Sequence, residues 1–330
     1  MTSVHRAVGL GAVLGASALV VGCTVGMPSS PSATSPTPAE QSATTTNRDV
    51  WLSESIDIGE GRRLFLECVG SGGPTVLLES GIHDSSDYWV SAQPDAPAIG
   101  PSVFDSVSAV TTVCRYDRPG TLRPLDSGPI FTDRSTPVGN PRTIDAVAAD
   151  LEALIEAAGL EGPFVLVGHS FGGWLQTYYA QTHPAEVAGL VLVDAFSSRM
   201  VEFMGEAWPA YEPVLNSLGG NPLENDPASE QYDVPASVLL SDAAPALRTD
   251  IPVAVLSKTE PFPLPADIAF TSEQLETAWR KVQDALALLV PHTPHVIAEG
   301  SDHYIQIREP DLVSSTIRLV LERARARLAG

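Results

Sequence analysis

"VGHSFGG", residues 167–173, places Ser170 between two glycines at positions −2 and +2. At ordinary Gly and Ser usage such a pentapeptide arises by chance in about one chain of this length in ten, so its setting must carry the argument. "PFVLVG" before it is a continuous apolar run, as a strand buried on both faces must be. "FGGWLQTYYAQTH" after it is compatible with a helix, and "VAGLVLVDA", residues 187–195, reads as a second strand. Strand, helix and strand in that order form a parallel crossover, which is right-handed in nearly all known cases. Ser170 therefore sits where a strand turns into a helix. There the glycines have a mechanical reason: the turn is so sharp that neighbouring positions tolerate almost no side chain, while the serine is held strained with its oxygen exposed.

The alternation extends in both directions. "WLSESIDI" and "RRLFLECV" are polar-apolar runs split by "GEG", an antiparallel hairpin. "PTVLLES" and "VTTVCRY" are more continuously apolar. Between residues 142 and 160, Ile144, Val147, Leu151, Leu154, Ile155 and Ala158 recur at helical spacing, with Gly159 placed to stop the helix. Residues 196–250 break the rhythm, being rich in Pro, Asn, Asp and Glu with Phe203, Trp208, Tyr211 and Tyr232 interspersed; they form a candidate lid. Strands resume at "IPVAVLS" and "HVIAEG" around a helix-like "TSEQLETAWRKVQDALALL". "DLVSSTIRLVLERARARLA" closes the chain, with Asp311 at its cap and arginines where the helix dipole favours them. The expected fold class is α/β, a mostly parallel central sheet flanked by helices, with a helical lid insertion and a site beyond the carboxyl ends of the strands.

The first 22 residues are not part of that fold. A basic "HR", an apolar "AVGLGAVLGASALVVG" and then Cys23 have the layout of an export signal, short of the roughly 20 apolar residues that a membrane span needs. Gly22 before Cys23 resembles the lipobox of bacterial lipoproteins, in which the new N-terminal cysteine is lipidated. Cys23 would then hold the protein to the outer face of the cell membrane; the alternative is an ordinary secretory signal and a spare thiol. Residues 24–47, nearly all Ser, Thr, Pro and Ala, read as a disordered tether, and residues 48–330 as the folded domain. The net charge is −21, and removing the signal removes only Arg6 among charged groups, leaving −22. Such a body repels nucleic acid and anionic lipid head groups. Cys68 and Cys114 lie in two strand-like stretches of an exported chain, so they are a candidate disulfide or two buried thiols.

A serine hydroxyl attacks poorly at neutral pH without an adjacent base. Of the seven histidines, His5 is in the signal, His169 is the spacer inside the turn and points away, and His183 ends the crossover helix. His292 and His295 read as loop and strand-start residues, and their spacing alone implies no metal. His303, in "EGSDHYIQIREP", follows the last strand at the same sheet edge as Ser170 and is the candidate base, with Asp302 beside it pointing away.

Taken together, "VLLESG", "CRYDRPG", "VGHSFGGW", "GLVLVDA" and "GSDHYIQ", in this order between Thr75 and Ala329, resemble the α/β-hydrolase superfamily, and within it the serine esterases with a lid after the sixth strand. The resemblance implies an acid between Ser and His in sequence. Asp194, ending the sixth strand, and Glu260, after the seventh, compete for that role, because "SKTE" stands where most members have a "G-x-x-D" turn. It implies an oxyanion hole from the N–H groups of Phe171 and Ile82, with His83 at the mouth and Asp117 and Arg118 forming a structural ion pair. A serine at the turn argues against the dehalogenases and epoxide hydrolases of this fold. A small acyl ester, with no cofactor, metal or nucleic acid, is the expected substrate. A peptidase taking a free amine on Glu202, Glu206 and Glu224 is a second reading, and a non-catalytic surface binding module a third.

Overall fold

The computed structural model describes residues 50–90, 100–218, 221, 223, 226–265 and 268–330. The expected export signal, Cys23 and the tether lie outside the described residues, as does Glu224. The chain opens with the antiparallel hairpin β1 (Val50–Gly59) and β2 (Arg62–Val69), followed by β3 (Val76–Glu79), α1 (Val103–Ser108) and β4 (Val113–Tyr116). A two-stranded ribbon, β5 (Leu122–Arg123) and β6 (Ile130–Phe131), precedes α2 (Ile144–Ala157). The crossover is β7 (Phe164–His169), α3 (Phe171–Thr182) and β8 (Val187–Val193). After it come the short helices α4 (Met200–Met204), α5 (Trp208–Tyr211) and α6 (Val234–Ala243) of the insertion. The chain closes with β9 (Val253–Lys258), α7 (Ser272–Ala287), β10 (His295–Ala298), α8 (Ile305–Arg308) and α9 (Pro310–Ala329).

Eight strands form the main sheet in the order β1-β2-β4-β3-β7-β8-β9-β10, antiparallel as far as β4 and parallel from there on. Alternation along the central strands sets the two layers. In β7, Phe164 and Leu166 face α2, α3 and α7, whereas Val165 and Val167 face α1 and α9; in β8, Leu190 and Leu192 divide from Val191 and Val193 in the same way. Both faces are buried, which is why these strands are apolar throughout rather than alternating with polar residues.

Strand β3 pairs with β4 on one side and β7 on the other, so the chain reverses its direction of travel across the sheet there. Loops leaving β3 and β7 diverge at such a point and open a crevice at their carboxyl ends. One local expectation needs adjustment and one open pair of alternatives is decided. Asp311 lies in the first turn of α9 rather than at its cap, which Glu309 occupies, but its charge still faces the positive end of the helix dipole. Cys68 and Cys114 stand directly opposite each other on β2 and β4 and are joined by a disulfide that ties the two strands together.

Candidate active site

Ser170 is the single residue between β7 and α3, with φ 53° and ψ −123°, a conformation costly for any residue with a side chain. The surrounding backbone enforces it. Ser170 N donates to Val193 O at 3.1 Å, and Ser170 O accepts from Phe196 N at 2.9 Å and Gly173 N at 3.0 Å. A Cβ on Gly168 would collide with the Gly172 backbone, one on Gly172 with Ser80 O, and one on Gly173 with Ala195. Three glycines are thus required by close approach, the third being the one the pentapeptide pattern leaves out.

His303 lies in the loop between β10 and α8, and Asp194 ends β8 with φ 42°. The His303 Nδ1–H donates to Asp194 Oδ2 at 2.6 Å, leaving Nε2 as the nitrogen able to accept a proton. Asp194 is fully buried; its other oxygen accepts from Lys258 N at 3.2 Å and its own N–H donates to Leu256 O at 2.8 Å, so the carboxylate is anchored by the neighbouring strand. Glu260, the competing acid, is exposed, and its backbone rather than its carboxylate makes the local contacts. At the end of β9, Lys258 Nζ donates to Glu276 Oε2 at 2.7 Å, and Glu276 Oε1 accepts from Phe262 N at 2.7 Å.

Ser170 and His303 border one cavity of about 600 Å³, together with Ile82 and Phe171. Phe171 N belongs to the first turn of α3, whose amides have no intrahelical partner. The walls are apolar, with Phe196, Tyr211, Phe262, Leu264, Phe270 and Trp279 among them, and no Asp, Glu, Lys or Arg among the described residues that line it. Phe262 and Trp279 also pack on the His303 ring at 4.9 and 5.4 Å between centroids. Glu202 and Glu206, expected as an amine site, are exposed on the insertion, Glu202 facing Arg199 at 2.9 Å. Among the described residues no cluster of His, Cys, Asp and Glu is arranged to hold a metal ion.

Several placements differ from expectation. His169 does not point away: it is buried, its Nε2 bonds His303 O at 2.9 Å, and its ring lies 4.5 Å from that of His303. Burial, and secondarily the charge of His303, push its pKa well below the usual range, so it stays neutral and donates to that carbonyl. His83 is buried within the loop after β3 and does not line the cavity, with φ 63° and its N–H on Glu230 Oε2 at 2.8 Å. Asp117 and Arg118 do not pair with each other. Asp117 takes Arg134, Ser86 and Thr132, while Arg118 turns the opposite way to Glu79 and Glu230. His183 stacks on Tyr179 and His295 bonds Ser257, both remote from Ser170.

Sequence reasoning passed over Glu79, Asp84 and Glu230, all buried beside the site. Glu79 carried the signal used for Asp194, a carboxylate ending an apolar strand. Glu230, in an insertion without periodicity, carried none.

Comparison with known proteins agrees with this architecture. Residues 74–228 match the family model described as the alpha/beta hydrolase fold. An uncharacterised protein of Schizosaccharomyces pombe is 30% identical over 161 residues, which are 44% of this chain and 28% of that protein, so the chain spans little more than a quarter of that relative. A probable proline iminopeptidase of Streptomyces coelicolor is 25% identical over 272 residues, 78% of this chain and 76% of the relative. The crystal structure of a putative lipase from Acinetobacter baumannii superposes with a TM-score of 0.53 at 20% identity, covering 84% of this chain and 93% of the other.

Proposed function

For this chain, which has the α/β-hydrolase fold, we propose a serine hydrolase that cleaves neutral, apolar carboxylic esters through an acyl-enzyme. The observation that carries this reading is the Asp194–His303 bond of 2.6 Å, with the imidazole on the same cavity as the strained Ser170. In the reaction, Ser170 Oγ attacks the ester carbonyl carbon while His303 Nε2 takes its proton. Asp194 holds the ring in the tautomer that can do so and stabilises the imidazolium. The Phe171 and Ile82 N–H groups stabilise the tetrahedral oxyanion. His303 then protonates the departing alkoxide, and a water activated by the same nitrogen releases the acid.

The walls favour an ester over a peptide with a free N-terminus. A protonated amine in a cavity without a carboxylate loses its hydration with no partner to replace it. The same argument disfavours charged acyl groups. A purely binding role would leave the strain at Ser170 and the buried Asp194–His303 pair without a purpose.

The test is hydrolysis of p-nitrophenyl esters from acetate to palmitate. Each added methylene should raise kcat/KM by about fourfold until the cavity fills, the gain expected from burying one such group. Ser170→Ala should abolish turnover. Asp194→Asn should lower kcat by about three to four orders of magnitude, and Glu260→Gln by less than about twofold. Full activity in Ser170→Ala, or equal mild losses in the two acid variants, would refute the assignment.

A further inference from the structure

We propose that Arg118, clamped between Glu79 and Glu230, is a positioning residue that aims the Ile82 N–H at the oxygen which becomes negative during acyl transfer. The inference rests on the serine-hydrolase reading and adds residues to it from two remote parts of the chain.

Arg118 is 2% exposed, and each of its five N–H groups has an acceptor. Nε donates to Glu230 Oε1 at 2.6 Å, and Nη2 to Glu230 Oε2 at 3.0 Å and Gly81 O at 2.6 Å. Nη1 donates to Ser80 O at 3.0 Å and to Glu79 Oε1. Glu230 Oε2 also accepts from His83 N at 2.8 Å, so one buried unit grips the backbone at Ser80, Gly81 and His83 and leaves Ile82 between them. The geometry of one peptide then decides the matter. In a planar trans unit the C=O and the following N–H point in opposite directions. Arg118 holds Gly81 O, so the Ile82 N–H in the same plane points away from the guanidinium, and Ile82 borders the cavity with Ser170.

The loop cannot relax readily out of this orientation. A Cβ on Gly81 would lie 2.8 Å from Asp84 Oδ2 and 3.0 Å from His169 Nδ1, so it is packed from its other side as well. Tyr232 donates to Glu230 Oε1 at 2.7 Å and packs on Phe171, the source of the second oxyanion donor, at 3.9 Å between ring centroids. One segment of the insertion thereby braces both halves of the oxyanion hole.

The variants are Arg118→Lys, which keeps the charge but not the fork, and Glu230→Gln, which keeps the volume and one acceptor. Each is assayed on the best ester for kcat and KM separately. Each is also assayed for inhibition by a trifluoromethyl ketone, which forms a tetrahedral adduct, and by the matching unfluorinated ketone, which binds as the ground state. Positioning predicts that kcat falls about 10- to 100-fold with KM within about threefold. It also predicts weaker inhibition by the fluoroketone in proportion to the loss of kcat/KM, and unchanged inhibition by the plain ketone. Should Arg118→Lys fail to fold, Glu230→Gln must show the same pattern at smaller amplitude. Unchanged fluoroketone inhibition, or equal losses for both ketones, overturns the positioning role. Absence of Ser170-dependent turnover in the unmodified protein overturns the hydrolase reading itself, and this proposal with it.

Discussion

At the scale of single residues, the site is built by carboxylates whose surroundings drive them apart. Asp194 is held by an imidazole and a backbone amide, Glu230 by a guanidinium, and Glu79 and Asp84 are buried with too little positive charge to compensate. Burial is the largest influence on Glu79 and lifts its carboxyl to about 7, although Arg118 and the Tyr116 hydroxyl favour the ionised form and Glu230 opposes it. Asp84 is likewise pushed up to about 7 by burial, against the pull of Arg118 and with repulsion from Glu230. For Glu230 the charge and hydrogen bonds of Arg118 outweigh the same burial, and its pKa is lowered. A carboxyl whose pKa is raised on folding stabilises the fold fully below its unfolded value, and that contribution is lost as pH rises through the folded value. Between pH 5 and 8 the protein should therefore lose stability from Glu79 and Asp84, by roughly 2–3 kcal/mol for each group at a shift of this size. Glu79→Gln cannot ionise, so its Tm relative to the unmodified protein should improve steadily from pH 5 to pH 8. Parallel Tm curves across that range would show that Glu79 is already ionised at pH 5.

At the scale of elements, the parts of the site come from the ends of strands: Glu79 and the loop beyond it from β3, Ser170 from β7, Asp194 from β8 and His303 from beyond β10. Beside β3 in the sheet, the β2–β4 pair is tied by the Cys68–Cys114 disulfide, which spans a sequence separation of 46. A cross-link enclosing a loop of this length stabilises a protein by about 2–4 kcal/mol, chiefly by restricting the unfolded chain. Replacing both cysteines by alanine should lower the unfolding free energy by that amount in denaturant titrations. Dithiothreitol should have little effect on the native protein, because both sulfurs are in side chains at most 1% exposed. Equal stability of the double variant would mean that backbone pairing alone holds these strands together.

At the scale of the whole molecule, a chain of net charge −21 has no electrostatic reason to stay at an anionic surface, and among the described residues no helix is long and apolar enough to cross a membrane. We propose that lipid on Cys23 anchors the protein on the outer face of the cell membrane through residues 24–47. Metabolic labelling with a palmitate analogue in a bacterial host should tag the full chain in the membrane fraction. Cys23→Ala should abolish the label and shift the protein out of that fraction. Labelling that survives the substitution would exclude this anchor.

Fold class and the succession of the main strands and helices along the chain could be read from the sequence because they follow from local periodicity. Unbroken apolar runs of six or seven residues make strands buried on both faces, and the spacing of Ile144 through Ile155 makes one buried helix face. Ser170 was legible for the same reason, since its turn is formed by adjacent residues. Contacts that join distant segments were not. Asp194 and Glu260 both follow strands, and the choice between them depends on which carboxylate the His303 ring meets, 109 residues from Asp194 in sequence. Arg118 could be expected to form an ion pair, but its partner Glu230 lies 112 residues away in a segment with no pattern, so the sequence points instead to the neighbouring Asp117. Periodicity reports which side of an element is buried, whereas the partner of a buried charge is decided by which segments packing brings within hydrogen-bonding distance, and only the tertiary structure holds that information.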